Sequence, residues 1–292
     1  MSGPRPNLFL IGAKKAGTTS LQRYLGLHPQ IFMSDPKEPK HFSKKNNWSR
    51  GNGRYLKLFE AATGMPIVGE ASHHYTHLPA SKGVAERIKE FNPSARFIYI
   101  VRDPIERAIS QYWWNWQNGN EWRDPLEAIK SDPQYRDLSN YPLQLEPYLR
   151  LFGRAALKII VLEELSENPQ KKMNEVYSWL GVESSLVKID TAIHIHKTGE
   201  ELKRPRKSFS FMTRGLESAL WIRLRSSIPK RVRSLVFRIL GERGGRKNRS
   251  DLGEVADYLR DDMILQTAEL SKIAGRTFPQ WTTLFSTSES RA

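Results

Sequence analysis

The chain is predicted to adopt an α/β fold of three layers, in which a central parallel sheet is flanked by helices. Apolar, strand-like runs alternate with amphipathic stretches along its 292 residues, which is typical of repeated strand–helix–strand units. Two of the runs, 96–101 (RFIYIV) and 156–162 (ALKIIVL), are apolar with little interruption. Strands covered by helices on both faces have this composition.

The elements can be justified in chain order. Strands are predicted at 8–11, 66–70, 96–101 and 156–162. Helices are predicted from the first loop to about 27, at 80–91, from 104 to about 116, and at 143–152, 169–180 and about 252–273. Asp103 and Pro104 mark one helix start as N-cap and first helical residue, and Gly181 marks a helix end.

Composition indicates a soluble globular protein, with 39% hydrophobic and 26% charged residues. We find no run of about 18 apolar residues, the length needed to span a membrane, and the first apolar stretch is too short for a secretory signal. The absence of cysteine excludes disulfides and thiolate metal sites and is compatible with a reducing compartment. We therefore expect one cytoplasmic domain over 1–292.

The net charge of +15 is concentrated in one segment. Residues 203–249 contain fifteen lysines and arginines but two acids, so this segment carries +13. We interpret about 200–250 as a basic insertion, partly helical over about 215–240. It is expected to lie on an anionic membrane surface, at the inner membrane face, to cap the active site, or to form a solvated face or oligomer contact. Nucleic-acid binding is not expected.

The loop after the first strand resembles a phosphate-binding loop that has lost its lysine. Residues 12–20 (GAKKAGTTS) keep both glycines of G-x-x-x-x-G-K-[ST], but Thr18 stands where lysine belongs. A glycine turn alone would explain the spacing. The strand before the loop, the helix after it and the lysines inside it instead predict an anion site. Its residues are Lys14, Lys15, Gly17, Thr18, Thr19 and Ser20.

A second anion site is predicted after the strand at 96–101. Arg102 ends that strand, and Ser110 lies two helical turns past the Asp103 cap, so both can face the crevice above the sheet. A guanidinium and a hydroxyl suit a second phosphate group. The alternative is an Arg–Asp structural pair with a solvated serine.

Two segments carry a family resemblance. GAKKAGTTSLQRYLGLHP and FIYIVRDPIERAISQYWW resemble the cofactor-binding motifs of sulfotransferases that use 3′-phosphoadenosine 5′-phosphosulfate (PAPS). Among them, the heparan-sulfate-type enzymes and their bacterial relatives are the most similar. Segments 37–42, 69–75, 141–152 and 274–281 agree in order with that branch. Ala71 departs from it, because relatives often have a lysine there.

The resemblance implies a function and a site. It puts Lys15, Gly17, Thr18, Thr19 and Ser20 around the 5′-phosphosulfate and Arg102 and Ser110 on the 3′-phosphate. Lys15 and Glu38 are implied as catalytic, Lys15 stabilising the leaving group and Glu38 acting as base. The expected reaction moves a sulfuryl group, without metal, to a hydroxyl or amine of a carbohydrate or lipid-linked acceptor such as a glycolipid.

Two other functions remain open from the sequence. One is a P-loop kinase or nucleotidase, which would need Mg²⁺ and the missing lysine. The other is a non-enzymatic protein on a degenerate P-loop scaffold, binding membranes or nucleic acid.

Two residue clusters have further interpretations. His73, His74 and His77 suit a metal by residue type, but no carboxylate is spaced to support them, so no metal site is predicted. His41, or one of the three, is instead a candidate neighbour of the acceptor hydroxyl. The aromatic run at 112–116 is predicted to pack against the sheet, with stacking on a ligand as the alternative.

Overall fold

The computed structural model describes residues 4–43, 45–121, 123–189, 202–205, 241–244 and 252–286. Its centre is a five-stranded sheet with strand order β2-β3-β1-β4-β5, and all four pairings are parallel. The strands are β1 (Leu8–Gly12), β2 (Ile31–Met33), β3 (Ile67–Ala71), β4 (Arg96–Val101) and β5 (Leu157–Val161). The predicted fold class is confirmed.

Helices cover the sheet and connect its strands. The α-helices are α1 (Thr18–Gly26), α2 (Lys45–Trp48), α3 (Gly53–Leu56), α4 (Val84–Phe91), α5 (Pro104–Gln117), α6 (Pro125–Ser131), α7 (Gln134–Asp137), α8 (Tyr141–Phe152), α9 (Leu162–Glu167), α10 (Pro169–Leu180), α11 (Gly253–Ala274) and α12 (Thr282–Phe285). Short 3₁₀ turns add Lys57–Ala62, His73–Thr76, Arg154–Ala156 and Ser184–Leu186. Among these described helices, none is both long and apolar enough to cross a membrane.

The core lies on both faces of the sheet. Every residue of β1 and β3 is buried, as expected for strands between two helical layers. The carboxyl-terminal segment closes the core, because Trp281 is fully buried and its ring stacks on Phe278 with centroids 4.3 Å apart. The backbone N–H of Leu284 donates to Asp103 Oδ2 at 3.0 Å, so this segment also supports the start of α5.

Several elements differ from the sequence-based prediction. The short helices α2, α3, α6, α7, α9 and α12 were not predicted, and two further differences have a clear local cause. Strand β2 was missed because three residues at a sheet edge leave little apolar pattern. Its presence makes β4 the fourth strand in the chain, so the Arg102 turn follows the fourth strand and not the third. Helix α4 begins at Val84, not at 80, because Gly83 has a left-handed backbone (φ 75°) immediately before it.

The predicted start of α5 is confirmed. Asp103 Oδ1 accepts hydrogen bonds from the N–H groups of Ile105 (3.0 Å) and Glu106 (3.2 Å), and Pro104 is the first helical residue.

The basic insertion is described only in part. β6 (Leu202–Pro205) and β7 (Gly241–Gly244) form an antiparallel pair. The helix expected over about 215–240 lies outside the described residues, and the single-domain organisation stays a prediction.

Candidate active site

The candidate site lies at the carboxyl ends of neighbouring strands. β1 lies between β3 and β4 in the sheet, so the loop after β1 lies between the turn that contains His73 and the turn that contains Arg102. Adjacent strands are about 4.8 Å apart. The two predicted anion sites therefore begin on neighbouring strands.

The loop after β1 has the backbone of an anion cradle. Gly17, which precedes α1, has φ 93°, and a Cβ there would lie 2.6 Å from Leu162 Cδ1. The positive φ therefore favours glycine at 17, and a Cβ there would also displace the Leu162 side chain. The Ala13 N–H donates to the Ile100 carbonyl at 2.8 Å, which fixes the loop to β4. The N-terminal N–H groups of α1 point towards the loop, where they favour an anion.

Lys14 and Lys15 flank an aromatic ring at the loop. Their Nζ atoms lie 5.2 and 5.9 Å from the ring centroid of Trp114, which is 38% exposed. Burial, followed by the charges of Arg107 and Lys15, lowers the pKa of Lys14 to about 8. This crowding of positive charge is relieved when an anion binds.

Lys37 supplies an amine from a different segment. Its Nζ donates to Thr18 Oγ1 at 3.2 Å and to Thr19 Oγ1 at 2.8 Å, so an ammonium does reach the position that lost its lysine. Sequence reasoning gave Lys37 no role of its own in the site. Its Nζ also lies 3.9 Å from Glu38 Oε1. The useful signal was the substitution at Thr18, since an anion site without that lysine needs a cation from elsewhere.

The turn after β4 contains Arg102. Its Nη2 lies 3.1 Å from Glu106 Oε2, and its side chain is 25% exposed. Since Asp103 caps α5, the partner of Arg102 is Glu106 and not the aspartate of the alternative interpretation. Ser110 is buried, not solvated. The assignment of Arg102 and Ser110 to a 3′-phosphate stays a prediction.

A buried arginine connects α5 to the phosphate loop. Arg107 is fully buried and donates to the Lys14 carbonyl (3.5 Å), Gln111 Oε1 (2.8 Å) and the Tyr135 carbonyl (2.6 Å). Burial lowers its pKa to about 10, so it stays charged. Sequence reasoning missed Arg107, although a charge on an otherwise apolar helix face is a signal.

Glu38 lies beside the turn that contains His73 and His74. Its N–H donates to the Ala71 carbonyl at 3.0 Å, which fixes the loop after β2 to the end of β3. Glu38 Oε2 is 3.1 Å from His74 Nδ1, and Oε1 is 3.7 Å from His73 Nε2. With 19% of its side chain exposed, the carboxylate is accessible to a small reacting group.

The three histidines form one stacked cluster beside Glu38. Ring centroids are 4.1 Å apart for His73 and His74 and 4.8 Å apart for His74 and His77. Burial and the neighbouring positive charges lower the pKa of His77 to about 3 and that of His73 well below its usual value. The expectation that no carboxylate accompanies the cluster was wrong, because Glu38 comes from a distant part of the chain.

His41 lies in a different environment. Its ring stacks on Tyr55 with centroids 4.3 Å apart, and its Nε2 is 2.9 Å from Asn52 Oδ1. It is therefore part of an aromatic cluster, and His73 and His74 are the histidines beside Glu38. The aromatic run on α5 is divided: Tyr112 and Trp113 are buried, as predicted, whereas Trp114 faces the loop.

A buried carboxyl group supports the floor of the site. Glu70 Oε1 accepts hydrogen bonds from Tyr55 (2.6 Å) and Tyr75 (2.7 Å), and Oε2 accepts one from Ser72 (2.8 Å). Ser72 Oγ in turn accepts from the Lys40 N–H at 3.2 Å. Glu70 therefore links β3 to the loop that contains Glu38.

Glu70 predicts a pH dependence of stability. Burial raises its pKa from 4.5 to about 7, so the folded state binds its proton more tightly than the unfolded state. The stabilisation is complete below pH 4.5 and is lost as the pH rises through 7. Glu70→Gln cannot ionise, so its unfolding free energy relative to wild type should rise by about 3 kcal/mol between pH 4 and pH 8.

Denaturant unfolding at the two pH values measures this effect. Glu60→Gln, which changes an exposed carboxyl group, is the matched control and should leave the relative stability unchanged. A Glu70→Gln difference that does not vary with pH would contradict the expected ionisation.

Comparison with known proteins now identifies the class. Residues 5–228 match the family model of the sulfotransferase domain. The chain therefore belongs to the sulfotransferase family, and it is an enzyme of that class.

Two curated relatives and one solved structure are similar to the chain. The human bifunctional heparan sulfate N-deacetylase/N-sulfotransferase 3 is 30% identical over 201 residues, which cover 61% of this chain and 22% of the relative. The membrane-associated sulfotransferase kil1 of Dictyostelium discoideum is 36% identical over 127 residues, covering 42% and 26%. The chain thus spans only a minor part of these relatives.

The solved structure is a sulfotransferase from Alicyclobacillus acidocaldarius. It aligns with a TM-score of 0.66 and 23% identity over 95% of this chain and 99% of the other. This agreement supports the fold.

Proposed function

We propose that this enzyme transfers a sulfuryl group from PAPS to a hydroxyl or amine of a carbohydrate or lipid-linked acceptor. The main observation in support of the proposal is that two consecutive residues, Lys37 and Glu38, contact different parts of the candidate site. Lys37 contacts the hydroxyls at the start of α1, while Glu38 lies beside the histidines. The loop after β2 thus supplies both a cation, Lys37, for the sulfuryl donor and a carboxylate, Glu38, for the acceptor.

Each part of the donor has a group that suits it. The 5′-phosphosulfate suits the loop of Lys14, Lys15 and Gly17 together with the hydroxyls of Thr18, Thr19 and Ser20, because several N–H groups and lysines converge there. The 3′-phosphate suits Arg102, whose ion pair with Glu106 is partly exposed and exchangeable. Ser110 is the proposed hydroxyl partner.

The reaction would be an in-line displacement at sulfur. The acceptor oxygen or nitrogen forms a bond to sulfur as the bond from sulfur to the bridging phosphate oxygen breaks. Glu38 accepts the acceptor proton, and Lys15 and Lys37 stabilise the charge that develops on the released 3′-phosphoadenosine 5′-phosphate (PAP). Since these side chains supply the required charge, no step needs a metal ion.

Two observations support a carbohydrate as acceptor. The human relative is named as a heparan sulfate N-sulfotransferase, which makes an amine acceptor as reasonable as a hydroxyl. The exposed ring of Trp114 offers a flat apolar surface for a sugar. We also propose a cytoplasmic location with peripheral contact to the inner membrane face through 203–249.

Ligand binding tests the donor assignment. PAP without metal should raise the melting temperature, whereas ATP with Mg²⁺ should not, and isotope-labelled PAPS should transfer its label to a heparan-type oligosaccharide. Arg102→Ala should weaken PAP binding by about 10–100-fold, as loss of a hydrogen-bonded charge does. Arg150→Ala removes an exposed arginine paired with Glu86 and Glu146 and is the matched control.

The same assay separates the other functions. Stabilisation only by ATP with Mg²⁺ would favour a kinase or nucleotidase and overturn the proposal. Binding to anionic vesicles without any PAP effect would favour a non-enzymatic membrane protein.

A further inference from the structure

The cluster of His73, His74 and His77 has the composition of a transition-metal site. Their ligand atoms all lie within 4.8 Å of one another. We propose that these histidines, with Glu38, bind a divalent transition metal such as Zn²⁺, and that the bound ion inhibits transfer. The inhibition rests on the proposed function, because the metal would act on Glu38, the base assigned above. The metal binding itself does not depend on that function.

The geometry needs only a small rearrangement. With Zn–N bonds of about 2.0–2.1 Å, ligand atoms in a tetrahedral site are about 3.3 Å apart. His73 Nδ1 and His77 Nε2 are already 3.1 Å apart. The remaining contraction of about 1.5 Å is within the reach of side-chain rotation, since 31% of the His74 side chain and 19% of the His73 side chain are exposed.

The backbone that carries the cluster is held in place. Thr76 Oγ1 donates to the Ile11 carbonyl at 2.6 Å, and the Tyr148 hydroxyl donates to the Tyr75 carbonyl at 2.8 Å. These bonds fix the 3₁₀ turn from both sides. The backbone is therefore held, and side-chain rotation of the imidazoles is the rearrangement that metal binding requires.

Glu38 completes the site in one of two ways. In this structure Glu38 Oε2 lies against His74 Nδ1, which leaves His74 Nε2 available as the ligand atom. A carboxylate hydrogen-bonded to a ligand histidine is the common supporting arrangement around zinc. If Glu38 rotates, it becomes the fourth ligand instead. Both arrangements engage the carboxylate, so it no longer accepts the acceptor proton.

The charges around the cluster predict when the metal binds. Lys14 lies near His73 and His77, Lys37 near His73, and Lys40 and Arg107 near His77, and the positive charges of these four side chains oppose the binding of a metal cation.

Bound PAP would neutralise part of this positive charge. PAP should therefore strengthen metal binding, and by reciprocity the metal should strengthen PAP binding by the same factor. The metal and the released nucleotide would then hold the enzyme in an inactive complex.

Cobalt provides a readout that does not depend on activity. Co²⁺ titrated into the whole chain should give the visible absorption of a tetrahedral site, and Zn²⁺ should displace it. His73→Ala and His74→Ala should each lower the affinity for Co²⁺ by more than roughly 10–100-fold, which is the usual effect of removing a hydrogen-bond partner of a metal ligand. The chain has four other histidines, and His194→Ala with His196→Ala is the matched control, which should keep the signal.

The outcomes distinguish the two proposals. Cobalt absorption that is lost in His74→Ala but kept in the double control supports the site. The proposal is overturned if the absorption is kept in His74→Ala but lost in the double control, or if no tetrahedral absorption appears. It is also overturned if PAP weakens metal binding. If cobalt binds while PAP does not, the site stands without its nucleotide coupling, and the donor assignment fails.

Discussion

Lys15→Ala should abolish sulfuryl transfer, lowering kcat by about 10²–10³-fold or more. The reason is electrostatic, because the leaving PAP acquires charge next to the loop that contains Lys15. Removing one preorganised donor to such a charge typically has this cost. Transfer of label from PAPS to the acceptor, measured under single-turnover conditions, tests the expected loss.

A second variant is needed at position 15, because the backbone conformation there does not suit alanine. Lys15 has a left-handed backbone, φ 69°, which Asn tolerates better than Ala. Lys15→Asn should therefore keep the loop and still lose transfer, while Lys57→Ala, at an exposed position, should keep full activity. Wild-type turnover in Lys15→Asn would show that the ammonium is not required.

Glu38→Gln should lower turnover by about 10²–10⁴-fold, the usual contribution of a general base. The amide has the same shape but accepts no proton, so PAP should bind with unchanged affinity. The measurements are PAP binding and the kcat of the same preparation. Glu60→Gln is again the exposed control.

If the Glu38→Gln enzyme is active, a residue other than Glu38 acts as the base. His74 Nδ1, 3.1 Å from Glu38 Oε2, would be the next candidate, and the double variant with His74→Ala would then be inactive. If the double variant also kept its turnover, a base at this cluster would be wrong.

The sequence predicted the fold well because its signals are local. Largely apolar runs identified β1, β4 and β5, a shorter run at 66–70 identified β3, and the Asp103–Pro104 pair identified the start of α5. β2 was missed because an edge strand of three residues has no pattern of its own. The order of the strands, which makes the two anion loops neighbours, was not predicted from the sequence.

The site was predictable where a short motif defines it. The loop that contains Gly17 and the turn that contains Arg102 could be recognised from the spacing of their residues in the sequence. Contacts between distant segments could not be recognised in this way. Glu38 reaches His74 because β2 and β3 lie side by side, and Lys37 reaches Thr19 because β3 in turn lies beside β1. Arg107 was missed for the same reason, since its partners lie in the first loop and after α6.

Backbone strain marks the same residues. Within the part of the chain that the structure describes, the non-glycine residues with positive φ are Lys15, Glu38 and Lys40, at 69°, 63° and 58°. Such conformations cost of order 1–3 kcal/mol each and persist where the surroundings impose them. No sequence pattern predicted them, and all three lie at the candidate site.

The adjacency of Lys37 and Glu38 couples the two halves of the candidate site. Lys37 Nζ donates to the hydroxyls at the start of α1, and the carboxylate of the next residue lies against His74. Under the proposed function, a nucleotide that attracts the Lys37 ammonium is therefore expected to act on the position of the base through one peptide bond.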